Sequence, residues 1–124
     1  MKFSARILAS LSFCHFLNDL MQSLLPSIYP MLKQTFGLSF SQIVIITLVN
    51  QITASLLQPA IGVYTDRRPL PYSLAVGMAF TLFGMLLLAF GATFGAIIAA
   101  SALIGLGSAV FHPESSRVAR LASG

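Results

Sequence analysis

The chain has 124 residues, of which 56% are hydrophobic and only 8% are charged, whereas soluble domains carry about 25% charged residues. This composition excludes a soluble globular domain and indicates an integral membrane protein. The net charge of +4 does not indicate a nucleic-acid-binding protein, because the basic residues lie beside the apolar segments and are not clustered.

Four apolar segments are long enough to cross a membrane as helices. A helix rises about 1.5 Å per residue, so about 20 apolar residues span a hydrocarbon core of about 30 Å. The sequence therefore predicts an all-α fold, a polytopic membrane helix bundle with no soluble domain. Its helices are expected over about residues 7–32, 40–64, 71–90 and 94–112, with an extension of the last one to about 120.

The distribution of positive charge predicts how these helices cross the membrane. With four spans, the amino terminus, the loop 65–70 and the carboxyl end lie on one side of the bilayer. Positive residues favour the cytoplasmic side, so both termini of this chain are expected to be cytoplasmic. That side would carry six of the seven cations, and the other only Lys33: Lys2, Arg6, Arg67, Arg68, Arg117 and Arg120.

A polar stripe runs along the first predicted helix. His15, Asn18, Asp19 and Gln22 follow the spacing i, i+3, i+4 and i+7, which places them on one helix face. An acidic side chain at the centre of a membrane helix costs roughly 2.5–3.5 kcal/mol, so Asp19 should face protein or water. A carboxyl group there can exchange a proton with a substrate, which predicts a proton-coupling site or substrate cavity. Hydrogen bonding to another helix is the structural alternative.

The last predicted helix combines a packing face with a polar end. Ser101, Gly105 and Ala109 have the small-xxx-small spacing that allows two helices to approach closely. Beyond them, His112 and Glu114 flank a proline. These two residues are candidates for a gate or a proton path, with a simple interfacial position as the alternative.

Sequence motifs for soluble enzymology are missing from the chain. It has no P-loop for ATP, no metal-ligand spacing and no paired nucleophile and base. The sequence therefore predicts a protein that is not an enzyme and needs no cofactor or metal.

One loop motif resembles a known family. Gly62, Asp66 and Arg67 match the form G-x-L-a-D-r-x-G-r-r, which is similar to the cytoplasmic motif between helices two and three of the major facilitator superfamily. Tyr64 and Pro69 replace the usual Leu and second Gly, and the following basic pair is absent. The resemblance implies that Gly62, Asp66 and Arg67 form a conformational latch between two transporter halves. We call these three residues the latch loop.

Further strings resemble one branch of that family, the bacterial fosmidomycin-resistance-type transporters. They lie at residues 14–19, 25–26, 58–62 and 111–114. The resemblance implies a secondary active transporter, an antiporter for proton-coupled efflux of small drug-like molecules such as fosmidomycin across the bacterial inner membrane. Its partners would be the lipid bilayer, protons and the small-molecule substrate.

The family fold has twelve helices, so the resemblance also implies that this chain is the amino-terminal four-helix portion and pairs with the remaining transporter helices. Two alternatives stay open at this point. The first is a small four-helix multidrug exporter that acts as a dimer. The second is a membrane subunit that does not transport, whose polar residues only connect helices.

Overall fold

The computed structural model describes residues 4–123, and over these residues the chain is an all-α bundle without a β-strand. The predicted fold class is confirmed. Its five helices are α1 (Ala5–Ser27), α2 (Tyr29–Phe36), α3 (Phe40–Arg67), α4 (Ser73–Phe90) and α5 (Phe94–Ser123).

The segment predicted as one helix over 7–32 consists of two helices in the structure. α1 ends at Ser27, and Ile28 (φ −95°, ψ 2°) separates it from α2. A proline, Pro30, occupies the first turn of α2, where its fixed φ and missing N–H are tolerated. α2 ends at Gly37, whose φ of 61° lies in the left-handed region that favours glycine.

α3 begins with a capping box and is longer than the sequence predicts. The Ser39 N–H donates to Gln42 Oε1 at 2.8 Å, and the Gln42 N–H donates to Ser39 Oγ at 3.2 Å. The helix continues through Pro59 to Arg67. The latch loop therefore lies in the last turns of α3 rather than in an open connection.

Three of the helices described for residues 4–123 are long and apolar enough to cross a membrane, namely α3, α4 and α5. α1 is not among them, because His15, Asn18, Asp19 and Gln22 lower its hydropathy. Many large apolar side chains of these helices point outward, as lipid contact requires, including Leu56 on α3 and Phe83 on α4. The four-span topology stays a prediction.

α5 is the central helix of the bundle and contacts α1, α3 and α4. Glycines bring the backbones together at two of these contacts. A Cβ added to Gly105 would lie 2.6 Å from the carbonyl oxygen of Asn50 on α3. A Cβ added to Gly107 would lie 2.7 Å from the carbonyl oxygen of Gly77 on α4. The predicted close-packing role of this helix face is confirmed.

We expect Gly105→Ala to destabilise the bundle by about 1–3 kcal/mol, because the added methyl group overlaps the backbone of α3. Gly95→Ala is the matched control, since its Cβ would approach protein no closer than 3.9 Å, at Thr93 Oγ1. The measurement is the midpoint of thermal unfolding in detergent, followed by circular dichroism. Equal midpoints for the two variants would contradict the close contact.

Candidate functional site

A polar cavity of about 410 Å³ opens between α1, α3 and α5. Amide, hydroxyl, carboxylate and imidazole groups lie on its wall beside apolar surface, and such a mixed wall suits a small ligand with polar groups. The lining residues are Asp19, Gln22, Ser23, Pro26, Tyr29, Thr47, Asn50, Gln51, Ala54, Ser108 and His112.

The residues of the polar stripe of α1 have different surroundings. His15 and Asp19 are partly exposed, and His15 Nε2 lies 3.3 Å from Asp19 Oδ2. Gln22 instead bonds to neighbouring helices, donating to the Ile104 carbonyl at 3.1 Å and to Thr81 Oγ1 at 3.4 Å. Both interpretations of the stripe therefore apply: Asp19 lines the cavity, and Gln22 lines it while also bonding to α4 and α5.

Asn18 is the most deeply buried residue of the stripe, at 0% exposure. Its Nδ2 lies 3.5 Å from Asp19 Oδ1, and its Oδ1 has no hydrogen-bond partner among the described residues. A buried acceptor without a partner is unfavourable by about 1–3 kcal/mol. Asn18 is thus fixed in the packing and does not line the cavity wall.

His112 of α5 joins the exposed pair of α1. The centroids of the His15 and His112 rings lie 5.2 Å apart in an edge-to-face arrangement. The sequence made His112 and Glu114 candidates for a gate or a proton path and did not connect His112 with α1. In the structure His112 lines the cavity beside Asp19, whereas Glu114 does not. The predicted gate pair is therefore split between two environments.

Glu114 is fully buried and joins α5 to the start of α4. One of its carboxylate oxygens accepts a hydrogen bond from the hydroxyl of Ser73, the first residue of α4. Arg117 donates from Nη2 to Oε2 at 2.8 Å and from Nε to Oε1 at 3.2 Å. This bidentate pair supplies the charge compensation that a buried carboxylate requires.

The latch loop lies at the end of α3, beside the second half of α5. Asp66 Oδ1 is 3.8 Å from Arg120 Nη2, and both side chains are more than half exposed. Such a pair contributes little to stability, about 0–1 kcal/mol. A Cβ on Gly62 would meet Pro113 of α5 at 3.5 Å, an ordinary packing distance. The role of Gly62, Asp66 and Arg67 as a latch stays a prediction.

The sequence prediction missed the wall that α3 contributes. Thr47, Asn50, Gln51 and Ala54 line the cavity, and they follow the same i, i+3, i+4, i+7 spacing as the stripe of α1. Asn50 also donates to the Ser101 carbonyl of α5 at 3.1 Å. The spacing is present in the sequence, but these residues are neutral, and no charged side chain marks this face as functional.

The bundle and its polar cavity are typical of a multi-pass membrane transporter, and the comparison with protein families agrees. The family model of the Major Facilitator Superfamily matches residues 11–123, and the chain belongs to this family. Membership in a transporter family also points away from an enzyme.

Two curated proteins are similar in sequence to this chain. The chain is 57% identical over 118 residues to the fosmidomycin resistance protein of Escherichia coli (strain K12). It is 45% identical over 118 residues to the uncharacterized MFS-type transporter YfnC of Bacillus subtilis (strain 168). Each match covers 95% of this chain but only 29% of the relative, so the chain spans less than a third of their length. No solved structure matches it.

We expect Glu114→Ala to lower the free energy of unfolding by about 3–5 kcal/mol, because the change leaves Arg117 without its buried partner. Asp66→Ala is the matched control. It removes an acid from an exposed pair, and we expect a loss below about 1 kcal/mol. Both are compared by thermal unfolding in detergent, and an equal effect would show that burial of Glu114 adds nothing.

Proposed function

We propose that the chain forms part of a secondary active transporter that exports small drug-like molecules such as fosmidomycin from the bacterial cytoplasm in exchange for protons. The observation that carries this proposal is the polar cavity, which brings Asp19 of α1 together with His112 of α5. Membership in the major facilitator superfamily and the 57% identity to a fosmidomycin resistance protein support it.

The exposed pair of the polar stripe suits proton coupling. Asp19 and His15 lie 3.3 Å apart and are 54% and 42% exposed, so water and substrate can reach both groups. Binding of a proton neutralises the carboxylate of Asp19. A substrate in the cavity changes the free energy of the charged form relative to the neutral form. Substrate and proton then influence each other's binding, and this coupling of two ligands is what exchange transport requires.

The neutral residues of the cavity suit substrate binding. Gln22, Asn50 and Gln51 present amide groups to the cavity, which can donate to and accept from a polar molecule. Gln22 is held by its bonds to α4 and α5, so it presents a fixed orientation. Asn18, buried beside them on α1, contacts Asp19 through its Nδ2 at 3.5 Å. A pre-oriented polar wall favours selectivity, because binding orders few side chains.

The latch loop suits a change between two access states. The Asp66 and Arg120 side chains are exposed, and their charged atoms are 3.8 Å apart. This contact can therefore break at a small cost in free energy. The alternating-access cycle of such transporters moves one helix bundle against another. We propose that Gly62, Asp66 and Arg67 stabilise one access state, and that His112 and Glu114 respond to the movement of α5.

The location and the neighbours of the chain follow from the same proposal. The chain lies in the bacterial inner membrane with both termini in the cytoplasm, as the distribution of positive charge favours. The polar faces of α1 and α3 meet the remaining helices of the transporter. Similarity to much longer major facilitator relatives supports this arrangement over a four-helix dimeric exporter or a membrane subunit without transport.

The proposal is tested by fosmidomycin susceptibility of bacteria that express the complete gene encoding this sequence. We expect Asp19→Asn to abolish protection, because an amide cannot take up and release a proton at this position. Ser27→Ala is the control. It changes an exposed residue of α1 that does not line the cavity, and it should protect fully. Membrane levels of all variants are compared by immunoblot.

Two results would contradict the proposal. Full protection by the Asp19→Asn variant would exclude Asp19 as the coupling residue. Protection by residues 1–124 expressed alone would favour the small four-helix exporter. Loss of protection by Asp19→Asn at normal membrane levels, together with retained protection by Ser27→Ala, would support proton-coupled efflux through this cavity.

A further inference from the structure

Three side chains with metal-binding atoms meet at one edge of the cavity. One ligand atom each from His15, Asp19 and His112 can be chosen so that all three lie within 4.8 Å of one another. His15 and Asp19 are one turn apart on α1, and His112 comes from α5. Spacing along the sequence does not predict this group, because the third residue is far from the other two in the chain.

The separation of the two α1 atoms matches that of two ligands on one metal ion. Zinc binds histidine nitrogen and carboxylate oxygen at about 2.0–2.1 Å in tetrahedral geometry, which places two ligand atoms about 3.3 Å apart. His15 Nε2 and Asp19 Oδ2 are 3.3 Å apart. The centroids of the two imidazoles are 5.2 Å apart, and the three ligand atoms lie within 4.8 Å of one another, so small side-chain rotations would bring all three to one ion.

A neighbouring serine prepares His15 to act as a ligand through Nε2. Ser115 Oγ donates its proton to the His112 carbonyl at 3.0 Å, so it is an acceptor toward His15 Nδ1, 3.5 Å away. In the tautomer that carries its proton on Nδ1, the lone pair of His15 lies on Nε2, which faces the carboxylate of Asp19 at 3.3 Å. A metal ion bound there would take the place of the proton that otherwise joins the two groups.

The contacts around this group resemble the outer shell of a metal site. Ligand histidines in proteins usually donate their second ring nitrogen to a carbonyl, carboxylate or hydroxyl, which fixes the ring. Ser115 Oγ, 3.5 Å from His15 Nδ1, is placed to accept such a bond. Asn18 is fully buried, and its Nδ2 lies 3.5 Å from the second oxygen of Asp19. His15 and Asp19 therefore each have a neighbouring polar group on the side away from the proposed ion.

We propose that His15, Asp19 and His112 form a binding site for a divalent transition-metal ion of the zinc class. Two imidazoles and one carboxylate favour zinc, cobalt, nickel or copper over magnesium and calcium, which prefer oxygen ligands. Three protein ligands leave one position of a tetrahedral ion open toward the cavity. The bound ion would join α1 to α5, and its binding does not depend on the transport function proposed above.

The test is titration of the purified chain with Zn²⁺ in detergent, followed by calorimetry. The affinity tag must lack histidine, because the chain itself contains only two. We expect one zinc ion per chain and no competition from millimolar Mg²⁺. His15→Ala and His112→Ala should each weaken binding at least about tenfold, and Ser115→Ala, which removes outer-shell support, by about tenfold.

Two controls separate this site from other ligands. Cys14→Ser removes the neighbouring thiol, and Asp66→Asn removes a carboxylate that is not part of the group; both should leave the affinity unchanged. His112→Gln serves as a milder second variant if His112→Ala loses its helical circular dichroism. Absence of saturable zinc binding, binding that survives loss of His112, or binding that disappears with Cys14→Ser would each overturn the proposal.

Discussion

The close approach of α5 to α3 and α4 determines the rest of this structure. Gly105 and Gly107 lie two residues apart on nearly opposite sides of α5, so the α5 backbone closely approaches α3 at one glycine and α4 at the other. In lipid, helices gain no hydrophobic free energy by associating, and close van der Waals contact with hydrogen bonds replaces it. The cavity exists because α1 packs less closely against α5 than α3 and α4 do, and the polar face of α1 therefore stays partly exposed.

Polar groups make the same contacts specific. Ser101, fully buried on α5, donates to the Ile46 carbonyl of α3 at 2.7 Å, and Asn50 of α3 donates back to the Ser101 carbonyl. Glu114 connects α5 to the first turn of α4 in a comparable way. Sliding one helix along another would break these bonds without replacement by water. The small residues allow the helices to approach, and the polar residues fix their register.

The sequence predicted the helical elements well, because long apolar runs and a capping box are local signals. Ser39 and Gln42 start α3 as expected. The break at Ile28 was missed, since Pro26 and Pro30 lie in an apolar run that reads as continuous. The end of α3 was placed too early, because Asp66 and Arg67 suggested a loop although their backbone continues the helix.

The candidate site was predictable only within single helices. The face shared by His15, Asn18, Asp19 and Gln22 follows from helical periodicity alone. Periodicity does not say which neighbour that face meets. The meeting of His112 with Asp19, and the separation of His112 from Glu114, depend on how α5 rotates against α1 and α4. That rotation is set by the glycine contacts, which involve residues distant in sequence.

The length of α5 has a consequence for the membrane itself. Its 30 residues correspond to about 45 Å of helix, well above the thickness of a hydrocarbon core of about 30 Å. The apolar part, from Phe94 to Phe111, is about 27 Å long and matches this core, and the charged part with Arg117 and Arg120 continues beyond it. Since α3 and α4 are joined to this helix, a thinner or thicker bilayer would act on the bundle through α5. A change in bilayer thickness would therefore change the helix packing around the cavity.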